Sequence, residues 1–216
     1  MSSDLHDRIL DAAVASVRAG NPLADVLAEV VALAAAEAPS PAWEAIAAID
    51  TAADMTKALP WFVRQFEERP APDDLAGIWF GMYVVRGNSP GRTEAATALS
   101  GGPGFPDAGW LADHNWDAAG YVPAAGLRSL MPLAAAEEPD VRAIVAGPVV
   151  FAYTLALAAE LVDGGGAAVL GERSQLGVVV GVPDAGTVVL GVLTPGGLDR
   201  STAARVEPAE ADAAPS

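Results

Sequence analysis

The sequence predicts an α+β fold in which N-terminal helices and one long core helix pack on a small, mostly antiparallel sheet. Three observations carry this. The first 69 residues repeat apolar side chains at helical spacing. Residues 143–159, AIVAGPVVFAYTLALAA, form an uncharged run of helical length between Arg142 and Glu160. Beyond Gly164, Gly165 and Gly166 the texture turns to short valine-rich segments, AAVLGE, LGVVVGV and TVVLGVL, which read as a glycine-punctuated β-meander.

Taken in order, Ser3 or Asp4 caps a first helix carrying Leu5, Ile9, Ala12, Ala13 and Val17, which Gly20-Asn21-Pro22 ends. Leu23, Val26, Leu27, Val30, Val31 and Leu33 mark a second helix that stops at Pro39-Ser40-Pro41, and the short link makes the pair an antiparallel hairpin. A third helix begins near Pro41 with Trp43, Ile46 and Ile49. Pro60 lacks a backbone donor, so the spacing predicts a break there, before WFVRQFEER. Residues 77–85, GIWFGMYVV, read as a strand apolar on both faces. Residues 86–123 are expected to be mostly irregular, with a short helical signal at 93–99, and a helix returns at 124–137. Asp140 is placed to cap the long core helix, expected over 141–162. Pro183-Asp184-Ala185-Gly186 has the chemistry of a tight turn and predicts an antiparallel hairpin between the last two strands.

These elements are expected to form one domain over residues 1–200, with 1–69 as a helical lobe and 77–200 as the sheet and core helix. Residues 201–216, rich in alanine, acid and proline without periodicity, are expected to be a disordered tail. Glycines 177, 181 and 191 in the meander suggest a strip on which the long helix approaches the sheet.

Of 216 residues, 12 are Lys or Arg and 28 Asp or Glu, a net charge of −16. Phosphate backbones attract basic faces, so nucleic acid is not expected as a partner. Absence of cysteine excludes disulfides, thiolate metal sites and cysteine nucleophiles. The N-terminus MSSDLHDRIL lacks the basic-then-apolar order of a secretory signal, and a cytoplasmic location is expected. Segment 143–159 falls short of the ~20 residues of a membrane span and contains Gly147-Pro148, so a buried core helix is expected and no membrane.

Chemistry concentrates in the loop around residues 101–121. Asp107, Asp113, His114 and Asp117 lie beside Trp110 and Trp116. Their donors suit a divalent cation, or His114 as a general base oriented by Asp113, but the spacing matches no metal-binding or catalytic signature. No metal or other cofactor is therefore expected. GGPGFPDAG has the glycine content of a phosphate-cradling loop without the Lys-Ser/Thr that follows one. Neither Ser129 nor Ser174 lies in a G-x-S-x-G context.

Trp79, Tyr83, Trp110, Trp116 and Tyr121 are the stronger lead. They supply either core packing or, with Asp107, Asp113 and Asp117, a surface that recognises cationic groups. The favoured function is a non-enzymatic binding protein, of immunity or regulatory type, that docks a partner protein with a basic surface. Two alternatives stand beside it: an enzyme or small-ligand binder around Trp79, Tyr83, Asp113 and His114, and a structural subunit of a homo-oligomer joined through the edge of the meander.

Overall fold

The N-terminal apolar spacing produces helices where it predicts them. The structure, a computed structural model, describes residues 3–87, 92–105, 114–182 and 186–206. Helices α1 (Ser3–Arg18) and α2 (Leu23–Glu37) form the expected hairpin. Helix α3 is short (Ala42–Ala47), and α4 runs unbroken over Thr51–Glu68. The expected break at Pro60 is thus corrected: the chain breaks at residues 48–50, where the Asp50 carboxylate caps α4 by accepting the Ala53 N–H at 2.9 Å. Pro60 sits on the solvent side of α4. The missing N–H thus falls on the exposed face, while the buried row Asp54, Ala58, Phe62, Gln65 and Phe66 continues along the other.

Seven strands among the described residues make one mixed sheet: β1 (Gly77–Arg86), β2 (Thr93–Gly102), β3 (Trp116–Tyr121), β4 (Leu176–Val182), β5 (Gly186–Thr194), β6 (Gly197–Asp199) and β7 (Ala204–Val206). The order is β3-β2-β1-β4-β5-β6, with β7 also on β5. Only β1 with β4 is parallel. The α+β reading holds, with 51% of residues helical. Residues 93–99, expected to be helical, instead lie in β2, because ten cross-strand pairs with β1 on one side and further pairs with β3 on the other outweigh the local preference of Ala and Glu.

After α5 (Ala125–Leu133), the long helix is continuous from Pro139 to Leu170. It comprises α6 (Pro139–Ile144), a π-turn (Val145–Val149) and α7 (Val150–Leu170). It begins at Pro139 with Glu138 in the capping position, not at a cap from Asp140. A window of it is long and apolar enough to cross a membrane, yet 83% of that window is buried inside the protein. Its sixteen buried α7 residues lie all round the helix, as expected for a core element and not a surface one.

The triple glycine does not end this helix. A Cβ on Gly164, Gly165 or Gly166 would come within 3.0 Å of Leu59, Phe62 or Leu193, respectively. Glycine there lets α7 approach α4 and β5, and AAVLGE is accordingly the end of the helix, through Leu170, and a turn at Gly171 and Glu172, not strand. The close-approach residues are thus on the helix. The expected strip at Gly177, Gly181 and Gly191 serves other contacts: Phe105 packs over Gly177, Thr187 over Gly181, and the Asp199 carbonyl over Gly191. Gly191, at φ 151°, accommodates a bulge where Val178 pairs with Gly191 and Val179 with Val189.

The predicted antiparallel pairing of β4 with β5 is present; its turn residues Pro183, Asp184 and Ala185 lie outside the described residues. Residues 201–206, expected to be tail, are tied down instead. β7 pairs with β5, Arg18 donates to the Ala203 carbonyl, and Arg205 donates to Asp7 at 2.9 Å and to Asp11 at 3.3 Å. Residues 207–216 lie outside the described residues.

Two carboxylates cap helices other than their own. Buried Asp54 of α4 accepts the N–H groups of Ala125 (2.8 Å) and Gly126 (2.9 Å) at the start of α5, and the Tyr153 hydroxyl of α7 at 2.6 Å. Glu160 of α7 accepts the Leu23 N–H at the start of α2, where the preceding Pro22 provides no side-chain cap. Burial, then the Asp54 hydrogen bond, hold the Tyr153 hydroxyl far above its ordinary pKa of 10.0. An unfolded tyrosine ionises near that value while folded Tyr153 keeps its proton. Its stabilising contribution is therefore complete below about pH 10 and declines above it, by at most about 1.4 kcal/mol per pH unit. Tyr153→Phe is expected to cost about 1–3 kcal/mol at neutral pH. The gap to wild type should narrow between about pH 10 and 11 in urea unfolding; a gap independent of pH in that window contradicts the assignment.

Candidate functional site

Strand β1 divides the aromatic residues between two faces of the sheet. Ile78, Phe80 and Met82 point into the core beneath the helices. Trp79, Gly81 and Tyr83 alternate with them and take the opposite, outer face, where Trp79 and Val179 form a separate small cluster with Phe105 and Val189. The first six residues of β1 are buried and Tyr83 and Val84 are exposed, because the strand runs past the layers that cover its beginning.

On the outer face Trp79, Tyr83 and Tyr121 form a line. Ring centroids are 6.4 Å apart for Trp79 and Tyr83 and 6.3 Å for Tyr83 and Tyr121. Register explains it: Tyr83 pairs with Ala96 and Gly81 with Ala98, and Ala98 pairs in turn with Tyr121. Gly81 makes room, since a Cβ there would stand 2.9 Å from the Trp79 ring and 3.1 Å from that of Tyr83. Trp79 is 5% exposed and its indole N–H has no hydrogen-bond partner. Tyr83 and Tyr121 are 38% and 41% exposed. Burial, then the neighbouring Tyr121 and Asp117, raise the Tyr83 hydroxyl above its ordinary pKa, so it is a donor at neutral pH.

Asp117 joins this face through its pairing with Ser100 on β2. Its carboxylate lies 3.7 Å from His114 Nε2, so Asp117 is a partner of that imidazole. Asp107, Trp110 and Asp113 lie outside the described residues, which includes the expected Asp113–His114 pairing. The structure thus brings together Trp79, Tyr83, Asp117, His114 and Tyr121.

Trp116 belongs elsewhere. It is 6% exposed, stacks on Phe66 at 4.5 Å and donates its indole N–H to the Arg69 carbonyl at 2.9 Å. As a recognition residue it is corrected to a core residue. Strand alternation carries it to the inner face while Asp117, one residue on, goes outward. The β3 edge is also engaged: Gln65 accepts the Ala119 N–H at 2.7 Å and Arg69 donates to the Asp117 carbonyl at 3.4 Å. At the far side of the sheet, β6 and β7 pair with β5.

Sequence reading passed over two features. Asp54 was one acid among many in a helical lobe, and nothing local marks it as buried. A cavity of about 360 Å³ between α1, the π-turn and β5 was the other; its visible signal is Gly147-Pro148 inside an otherwise regular helical run. A cavity of about 310 Å³ near Phe105 is bordered by Asp73, Arg173 and Gly177. Neither is lined by His114. Among the described residues, no three His, Asp or Glu side chains gather where they would hold a metal ion.

The two aromatic environments predict opposite responses to truncation. Trp116→Ala should cost about 3–5 kcal/mol, as for a buried tryptophan, and Tyr121→Ala less than about 1 kcal/mol. Denaturant unfolding of both variants checks this, and equal costs would contradict the division between core and surface. Compared with known proteins, the chain matches no family model, no curated protein and no solved structure.

Proposed function

We propose that the protein is a binding protein that docks a partner protein carrying a basic surface through the outer face of its sheet. The observation that carries this reading is the half-exposed pair Tyr83 and Tyr121, 6.3 Å apart on the outer face, with Asp117 beside them. Tyrosines supply large, rigid contact area with a polar tip, and aromatic faces beside a carboxylate suit arginine and lysine. The charge of −16 favours the same kind of partner and speeds its encounter.

The alternatives draw less support. The reading as an enzyme or ligand binder centred on Trp79, Tyr83, Asp113 and His114 rests on an imidazole exposed beside Asp117 that lines neither cavity described above. Assembly through the meander edge meets β6 and β7 already paired there.

The test compares wild type with the double variant Tyr83→Ala, Tyr121→Ala as bait in native-host extract, with quantitative mass spectrometry at low and at high salt. The expected result is a stoichiometric partner of basic pI that wild type retains at low salt and loses at high salt. The double variant should lose it at both, with a melting temperature within about 5 °C of wild type. Equal recovery by the two baits at low salt would overturn the assignment of this face.

A further inference from the structure

The long helix departs from α geometry at one place among the described residues, and that place opens on a cavity. At Val145–Val149 the helix widens into a π-turn, with the Val150 N–H reaching back five residues to the Val145 carbonyl. Pro148 lies inside this π-turn and has no N–H to give to the helical ladder there. π-Turns of this kind recur at functional sites. Here Ala146 and Gly147 form one wall of a cavity of about 360 Å³, at the small end of the range for ligand pockets.

The other walls are built from separate parts of the chain. Leu10 of α1, Met82 of β1, Phe151 of α7 and Val188 of β5 supply apolar surface, and His6, Thr187 and Arg205 supply polar groups. His6 lies close to the π-turn, with its ring 3.4 Å from where a Gly147 Cβ would stand. Arg205 is held by Asp7 at 2.9 Å and Asp11 at 3.3 Å. An apolar chamber with a few fixed polar groups is the ordinary form of a small-molecule site. Small residues on the wall keep it open where larger ones would fill it.

Charge selects the ligand class. Arg205, the one arginine of the lining, already has the carboxylates of Asp7 and Asp11 on it, in a chain of net −16. An anionic head would enter against that field and would compete with two carboxylates for Arg205. We propose that this cavity binds a small, uncharged, largely apolar molecule with one hydrogen-bond acceptor directed at the donors of Arg205, Thr187 and His6. The site is separate from the docking face: β1 places Met82 in the cavity and Tyr83 on the opposite side of the sheet.

The experiment uses the full chain and the uncharged fluorophore N-phenyl-1-naphthylamine. Expected is saturable one-to-one binding in the micromolar range, with displacement by 1-decanol at concentrations roughly tenfold or more below those needed for decanoate. Ala146→Phe and Val206→Phe, which enlarge two exposed residues of the lining, one on the π-turn and one on β7, should each weaken binding about tenfold or more. Amide resonances of His6, Gly147 and Thr187 should shift on addition of the fluorophore to wild type, a readout independent of how the variants fold. Absence of saturable binding, equal displacement by decanol and decanoate, or shifts confined to other residues would each overturn the proposal.

Discussion

The buried carboxylate of Asp54 is the contact on which the helical layer depends. It sits among α4, α5 and α7, accepting two backbone N–H groups from the start of α5 and the hydroxyl of Tyr153 from the middle of α7. An isolated charge in that position would cost several kcal/mol, so its acceptor capacity has to be matched by donors from neighbouring elements. Those donors exist only when all three helices are in register. Gly126 shows how tight the arrangement is: a Cβ there would lie 2.4 Å from Ile49 and 2.6 Å from the Tyr153 hydroxyl oxygen. Glu160, seven residues beyond Tyr153 and thus on nearly the same side of α7, repeats the device at the start of α2. α7 therefore orders the helices around it by polar contacts at defined positions, where apolar burial alone would permit sliding.

This explains which parts of the fold were legible in the sequence. The α1–α2 hairpin, β1, the β4–β5 pairing and the long core helix each carry their own periodicity, so local pattern and tertiary outcome agree. Pro60 and Gly164–Gly166 were misleading for one reason: both were read as punctuation, and both sit inside helices where the neighbours decide. Pro60 faces solvent, and the three glycines face Leu59, Phe62 and Leu193. β2, TEAATALSGG, has too little apolar alternation to declare itself; it is a strand because β1 and β3 flank it and because Thr97 and Leu99 point into the core. No local signal carries that information.

The candidate site was legible to a similar degree. Aromatic content singled out Trp79, Tyr83, Trp116 and Tyr121, but which face each residue occupies follows from strand alternation and register, which composition does not specify. One residue of offset separates Trp116 in the core from Asp117 on the outer face. Strand pairing then joins residues distant in sequence: Tyr83 and Tyr121 meet because β2 lies between their strands and carries Ala96 and Ala98, too small to keep the rings apart.

The two proposed sites share a single structural origin. β1 is ten residues long, and its cover ends after Met82. A strand that outruns its covering layers exposes both of its faces at that end. On one side Tyr83 comes into the open beside Tyr121; on the other Met82 becomes the wall of a chamber that the π-turn keeps from closing. Filling that end with larger side chains would extend the core and remove both surfaces at once. The sequence does the reverse: it places Gly81 next to the tyrosine and Gly147 across from His6. Small residues at the least covered end of a sheet weaken the core locally, and the open tyrosine pair and the apolar chamber are what that weakness leaves available for binding.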